Sequence, residues 1–290
     1  MYEVDAHFHV WELARFSYPW PDSSQPVLFR DFSFRDLTPA LDSVGVKHAV
    51  FIQAVNNFVE EAEWVLRSGH PALRGVVAGV CLTDHTLLAN QLDTLCHYEK
   101  FVGVRHIIDL ESDPNWLIRD DVIKGLRMVA ANDKTLDIPA RPHNLHLVSK
   151  VAKQVPGLSI VIDHIGKPLL SKSVDVCPQW RSDMEAAASC KNVWCKISGL
   201  VTEVDPINNK TSWSVNTFRE HVNIVLELFG VDRCILGSDW PVLHITGASY
   251  KEVNLLHKSL IQHLSETEQK AVLGSNAARF YDLKNADVYT

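Results

Sequence analysis

Two histidines stand one residue apart near the start of the chain, in Asp5-Ala6-His7-Phe8-His9. Side chains alternate along a strand, so on an extended segment His7 and His9 point the same way. Two neutral imidazoles on one face can share one divalent metal or flank one anionic group. Histidines at a strand end can also do no more than hydrogen-bond neighbouring loops, and the motif alone leaves both readings open. Two further segments narrow the choice. Ile162-Asp163-His164-Ile165-Gly166-Lys167-Pro168 puts a third histidine at a glycine turn with a lysine behind it, and Leu236-Gly237-Ser238-Asp239-Trp240-Pro241 supplies a carboxylate. Each follows a short apolar run that reads as a strand. Packing alone does not explain three imidazoles and a carboxylate, all metal-ligating or acid–base groups, falling at strand ends.

The elements that position them follow from periodicity. Eight apolar, β-branched runs each end in a polar residue or turn: Glu3 to Val10, Lys47 to Val55, Gly75 to Leu82, Phe101 to Ile108, Thr135 to Arg141, Leu158 to His164, Val193 to Ser198 and Arg233 to Asp239. Between them lie segments of helical period: Leu37 to Val44, Asn57 to Ser68, His85 to Glu99, Asp120 to Asn132, Leu145 to Gln154, Trp180 to Ser189, Thr217 to Phe229 and Tyr250 to His263, with Ser265 to Leu273 near the end. Near-continuous apolar strands such as Val76-Val77-Ala78-Gly79-Val80 suit a parallel sheet buried on both faces. Eight strands alternating with helices predict an α/β fold, a single (β/α)8 TIM barrel. An open doubly wound sheet would need about six strands and normally a Gly-rich phosphate loop, and no G-x-G-x-x-G or P-loop follows any strand. The fifth strand is the weakest, because Asp137 and Pro139 interrupt it and proline has no N–H for the ladder. No Pro-, Gly- or Ser-rich linker divides the chain, so residues 1–290 are expected to form one domain. The longest loops, Trp11 to Arg35, Pro168 to Gln179 and Leu200 to Asn216, all follow strand C-termini, the face on which barrel active sites are built.

Composition restricts the partners. Lys and Arg number 28 against 35 Asp and Glu, a net charge of −7 with no basic block, so no nucleic acid is expected. The longest apolar stretch, Gly75 to Leu82, is far short of the roughly 20 residues of a membrane helix, so no membrane partner is expected. The N-terminal residues lack signal-peptide features, which predicts a cytoplasmic protein. Six scattered cysteines without a C-x-x-C pair predict free thiols and no cysteine metal site. Asn209-Lys210-Thr211 matches a glycosylation sequon, which carries no weight in a chain without export features. The expected partner is a small molecule; a homo-oligomer is compatible with the sequence.

The chain resembles the amidohydrolase superfamily, and within it the amidohydrolase-related group that includes sugar-lactone hydrolases (fuconolactonases, rhamnonolactonases) and 2-pyrone-4,6-dicarboxylate lactonase. The likeness rests on Asp5-Ala6-His7-Phe8-His9-Val10-Trp11, Arg15-Phe16-Ser17-Tyr18-Pro19-Trp20, Gly103-Val104-Arg105, Asp163-His164-Ile165-Gly166-Lys167-Pro168 and Gly237-Ser238-Asp239-Trp240-Pro241, in order along the chain. The resemblance implies that His7, His9 and His164 line a metal or anion position and that Asp239 is the general base that activates water. The chain departs from binuclear members: no Lys or Glu ends the fourth strand, which reads Val104-Arg105-His106, and the fifth offers Ala140-Arg141-Pro142-His143, with His143 past the strand end. A two-metal centre is therefore not expected. One Zn²⁺ held by His7, His9 and Asp239, with His164 near, and metal-independent chemistry are both compatible with these residues.

The expected reaction is hydrolysis of a cyclic ester, most of all a sugar-acid lactone such as L-fuconolactone or L-rhamnonolactone. Asp239 suits activation of water, while the histidines or a metal suit polarisation of the carbonyl. Arg105 and Arg141 are candidates to hold a carboxylate, unless they pair with Asp109 or Asp137. Lys167 either reaches the pocket or caps a turn. Trp11 and Trp240, beside the candidate catalytic groups, are candidates to stack on a sugar ring. Arg15 is a weaker contact candidate. His106, His143, His146, His221 and His257 are read as surface or structural. A metal-dependent decarboxylase of the same superfamily and a barrel that binds a metabolite without turnover are the alternatives.

Overall fold

The eight apolar runs form eight parallel strands in the computed structural model, which describes residues 3–55, 58–170, 176–204 and 213–284. The sequon at Asn209 lies outside the described residues, as do parts of the loops expected at 168–179 and 200–216. The strands are β1 (Val4–Phe8), β2 (His48–Ile52), β3 (Leu73–Gly79), β4 (Phe101–Arg105), β5 (Thr135–Ile138), β6 (Ile160–Ile162), β7 (Val193–Ile197) and β8 (Cys234–Leu236), paired in sequence order. The crossovers carry α1 (Phe34–Asp42), α2 (Val59–Leu66), α3 (His85–Cys96), α4 (Asp120–Ala131), α5 (His146–Gln154), α6 (Pro178–Ala188), α7 (Val215–Phe229) and α8 (Tyr250–Ile261). Local chemistry starts several of these helices. Asp84 accepts from the backbone N–H groups of Thr86 and Leu87 at 3.0 Å, and Ser249 with Glu252 makes a capping box before α8.

The barrel closes between β1 and the segment that follows β8. Asp239 N–H donates to the His7 carbonyl at 2.8 Å and His9 N–H to the Trp240 carbonyl at 2.7 Å. The close approach requires glycine at 237: a Cβ there would stand 2.5 Å from His7 Cβ. This is a (β/α)8 TIM barrel.

Apolar packing divides into two regions. Strand residues such as Phe51, Val76, Ile138, Ile162 and Leu236 join the inner faces of the helices in the larger core. A separate cluster holds Val4, Ala6, Val50, Ile52, Val77, Val102, Val161 and Ile235 together with Ala277, Phe280, Tyr281 and Leu283. Strand alternation puts Val161 on the same side as Asp163, so this cluster fills the lumen, with the segment around Phe280 closing the N-terminal ends of the strands. Asp137 does not interrupt β5. It points into the lumen, fully buried, where Lys196 Nζ of β7 lies 2.6 Å from its Oδ2; the cross-strand partner is what lets a carboxylate occupy an interior strand position.

All six cysteines are free, with Cys190, Cys195 and Cys234 buried. No helix among the described residues is long and apolar enough to cross a membrane.

Candidate active site at the barrel mouth

An irregularity in strand β1 turns the face that carries its two histidines inward. Its pairing with β2 shifts register between Asp5 and Phe8. Val4 and Ala6 join the lumen cluster, and Asp5 turns outward to Ser238 and Tyr250 of α8. His7 nonetheless faces inward, with Nδ1 3.3 Å from Lys196 Nζ and 3.4 Å from Asp163 Oδ1. Past the register shift the alternation resumes, so His7 and His9 both face the mouth, ring centroids 4.9 Å apart and edge to face.

Asp239 stands on a turn that Asp5 anchors from outside. Asp5 accepts from Ser238 N–H at 2.8 Å, the Ser238 hydroxyl at 2.6 Å and the Tyr250 hydroxyl at 3.0 Å. Asp239 itself adopts φ of 59°, a left-handed conformation that aspartate tolerates better than most residues. Its Oδ1 lies 3.3 Å from His9 Nε2 and 3.6 Å from His7 Nε2.

After β6 the chain runs through four consecutive positive φ values, His164 at 55°, Ile165 at 49°, Gly166 at 71° and Lys167 at 47°. Three are not glycine, and each such residue costs on the order of 1–3 kcal/mol, sustained only where the surroundings fix it. Trp180 Nε1–H donates to the Ile165 carbonyl at 2.9 Å and Lys167 N–H to that of His164 at 2.9 Å. The turn aims His164 at the mouth, 4.5 Å from the His7 ring, with Nδ1 2.9 Å from the Ser198 hydroxyl. Gly199 makes room: a Cβ there would lie 2.5 Å from His164 Nδ1.

Burial sets the charge states. It pushes His7 and His164 well below the ordinary imidazole value, so both are neutral at pH 7. Burial works against ionisation of Asp239, yet His164, His9 and Lys167 around it hold its pKa below the usual carboxylate value. The site is therefore an anionic carboxylate among imidazoles.

His7, His9 and Asp239 each present a ligand atom within 4.8 Å of the others. The donor set fits a divalent cation. His9 Nδ1 is held by the Ile52 carbonyl at 2.6 Å, which directs Nε2 to the cluster, and His7 Nε2 is buried without a hydrogen-bond partner among the described residues. A second trio, His7, Asp163 and His164, fits less well, because Asp163 already faces Lys196 Nζ at 2.9 Å and Arg105 Nε at 3.0 Å.

A cavity of about 290 Å³ opens above these groups, lined among others by His9, Trp20, Arg105, Arg141, His164, Lys167, Glu203 and Asp239. Arg105 is tied down by Asp163 and donates Nη1–H to the Gln53 and Ala54 carbonyls at 3.1 and 2.8 Å. Arg141 Nε lies 2.5 Å from Asp109 Oδ2, the ion-pair alternative weighed for it from sequence. Lys167 reaches the pocket, its Nζ 3.4 Å from Glu203 Oε1. The two tryptophans expected at the substrate are elsewhere. Trp11 is 0% exposed, because its backbone pairs with Phe32 and its indole N–H donates to the Arg30 carbonyl. Trp240 is 2% exposed, its ring edge-on to Phe32. Trp20 from the same first loop is the ring that lines the cavity. Arg15 pairs loosely with Glu12 at 3.7 Å.

Sequence reasoning missed Lys196, Asp137, Asp163 and Glu203. A signal for the first existed: a lysine within the apolar run Val193-Trp194-Cys195-Lys196-Ile197 can be buried only if carboxylates meet it.

The whole barrel has relatives. A family model described as Amidohydrolase matches residues 4–283. L-Fucono-1,5-lactonase from Burkholderia multivorans is 30% identical over 288 residues, covering 97% of this chain and 96% of that protein. The L-fucono-1,5-lactonase of Burkholderia ambifaria is 29% identical over 285 residues, covering 97% and 95%. The crystal structure of an amidohydrolase from Burkholderia multivorans with bound zinc superposes with a TM-score of 0.88 at 29% identity, over 98% of this chain and 100% of that one. Matching over nearly its full length in sequence and fold, this chain belongs to the amidohydrolase family.

Proposed function

We propose that the protein hydrolyses a sugar-acid lactone, with Asp239 as the general base. The observation that carries this is the buried, ionised Asp239 beside His9 and His164 at the base of the cavity. The near full-length similarity to two L-fucono-1,5-lactonases supports the substrate class. Asp239 accepts a proton from water as it attacks the ring carbonyl, and the protonated Asp239 returns that proton to the ester oxygen as the C–O bond breaks and the ring opens. His164 is neutral and its Nδ1 lies 2.9 Å from the Ser198 hydroxyl, which can donate to it; in that tautomer the Nε2–H can donate to the developing oxyanion. His9, oriented by the Ile52 carbonyl, keeps its Nε2 turned to Asp239, 3.3 Å from Oδ1.

His7, His9 and Asp239 are the residues that would hold one divalent metal, and zinc is supported by its presence in the related amidohydrolase structure. Such an ion supplies Lewis-acid polarisation of the carbonyl.

A panel of aldonolactones including L-fucono-1,5-lactone and L-rhamnono-gamma-lactone, followed by acid release with bound metal quantified in the same preparation, tests the reading. Turnover of at least one well above the spontaneous rate is expected. Spontaneous rates throughout would overturn it.

A further inference from the structure

The cavity carries as many carboxylates as cations. Arg105, Arg141 and Lys167 line it, and so do Asp109, Glu203 and Asp239. None of the three cations is free. Arg105 is engaged by Asp163 and two carbonyls, Arg141 by Asp109, and Lys167 by Glu203. A carboxylate on the substrate would have to displace one of these partners and would face Glu203 while doing so.

Glu203 differs from Asp109 in what it has left to offer. Asp109 Oδ2 holds Arg141 Nε at 2.5 Å and Oδ1 accepts from Asn144 Nδ2 at 2.8 Å. Glu203 Oε1 lies 3.4 Å from Lys167 Nζ and Oε2 3.7 Å from Arg141 Nη1. Both exceed the roughly 2.7–3.2 Å of an N–H···O hydrogen bond, so the two oxygens keep acceptor capacity for hydroxyl groups. The fold fixes the residue there. The turn Leu200–Glu203 follows Gly199, and the Glu203 carbonyl accepts from Leu170 N–H at 3.0 Å, beside a bridge between Leu170 and Val204. The side chain is 15% exposed, enough to meet a ligand and sheltered enough for its charge to be felt.

We propose that Glu203 determines specificity: held between Lys167 and Arg141, it accepts a ring or side-chain hydroxyl of an uncharged polyhydroxylated lactone and excludes lactones that bear a carboxylate. The proposal rests on the lactonase reading and deepens it. Discrimination of this kind combines an attractive contact to one substrate with a repulsive one to its competitor.

L-Galactonolactone and galactarolactone, which differ by one CH₂OH oxidised to carboxylate, are the probes. Wild type is expected to favour the neutral lactone by about 100-fold or more in kcat/KM, narrowing as salt is raised to about 1 M, where the Debye length falls to about 3 Å. In Glu203→Gln, kcat/KM for the neutral lactone should fall about 10-fold, mainly through KM, while that for galactarolactone should rise about 10-fold. Glu203→Asp keeps the charge and should still exclude galactarolactone, which separates charge from damage to the turn. Neutral lactone opened with the ratio unchanged in Glu203→Gln, or a wild type that prefers galactarolactone, would overturn the proposal while leaving the lactonase reading intact. A wild type that opens neither these nor any other aldonolactone removes both.

Discussion

The two ends of the barrel obey different rules. At the N-terminal ends of the strands, Val4, Val102, Val161 and Ile235 pack with Phe280, Tyr281 and Leu283 into an apolar plug. At the C-terminal ends, His164, Ile165, Lys167 and Asp239 hold left-handed backbone and charged groups are buried. Regular packing makes the lower end a source of stability, whereas the mouth keeps strain and desolvated charge at the proposed site. Lys196 joins the two. Its ammonium lies beneath His7, between Asp137 and Asp163, and 5.6 Å from the Tyr281 ring.

Substitutions at each end should separate these properties. Phe280→Ala removes a buried ring from the plug and should cost about 3–5 kcal/mol of stability, measured by urea unfolding, with kcat of the folded fraction within about twofold of wild type. A large loss of kcat without loss of stability would erase the distinction between the ends.

His257 lies in the packing between β1, β8 and α8, beside Asp5 and Tyr250, away from the mouth. Burial pushes its pKa down to about 4. The unfolded chain, at about 6.5, binds the proton more tightly, so this contribution to stability is complete above pH 6.5 and is lost as pH falls from there to about 4. The difference corresponds to about 3 kcal/mol, and His257→Gln should flatten the acid limb of the stability profile by that order. An unchanged limb would show that His257 does not titrate on unfolding.

Gly199→Ala, at the mouth, should cost only about 1–2 kcal/mol of stability for its left-handed φ of 58°, but should lower kcat by about 10-fold, because the added Cβ displaces His164. Equal activity would mean that the His164 position is not critical.

The same division explains what could be read from the sequence. All eight strands follow from short apolar runs, and His7, His9, His164 and Asp239 reach one mouth because each stands at or just past a strand end; the register shift in β1 and the left-handed turns after β6 and β8 that aim them leave no periodic signal. Interactions between distant strands leave no local trace. The pairing of Lys196 with Asp137 spans 59 residues, and Glu203 meets Lys167 where Leu170 bridges to Val204. Trp11 shows where the period fails: two residues past His9 the chain has left β1 and pairs with Phe32, so the expected shared face no longer exists. Trp20, less conspicuous in sequence, takes the pocket position because the long first loop folds back over the mouth.

Asp239→Asn tests the central claim most directly, because it keeps the shape and most hydrogen bonds of the side chain while removing its basicity. Turnover of the best lactone and the thermal midpoint should be measured on the same preparation. The account predicts a fall in kcat of about 10²-fold or more, as expected for loss of a positioned base, with a midpoint within a few degrees of wild type. An Asn variant that melts early yet opens lactone at the wild-type rate when folded would contradict it and leave Asp239 a structural residue of the Ser238–Trp240 turn.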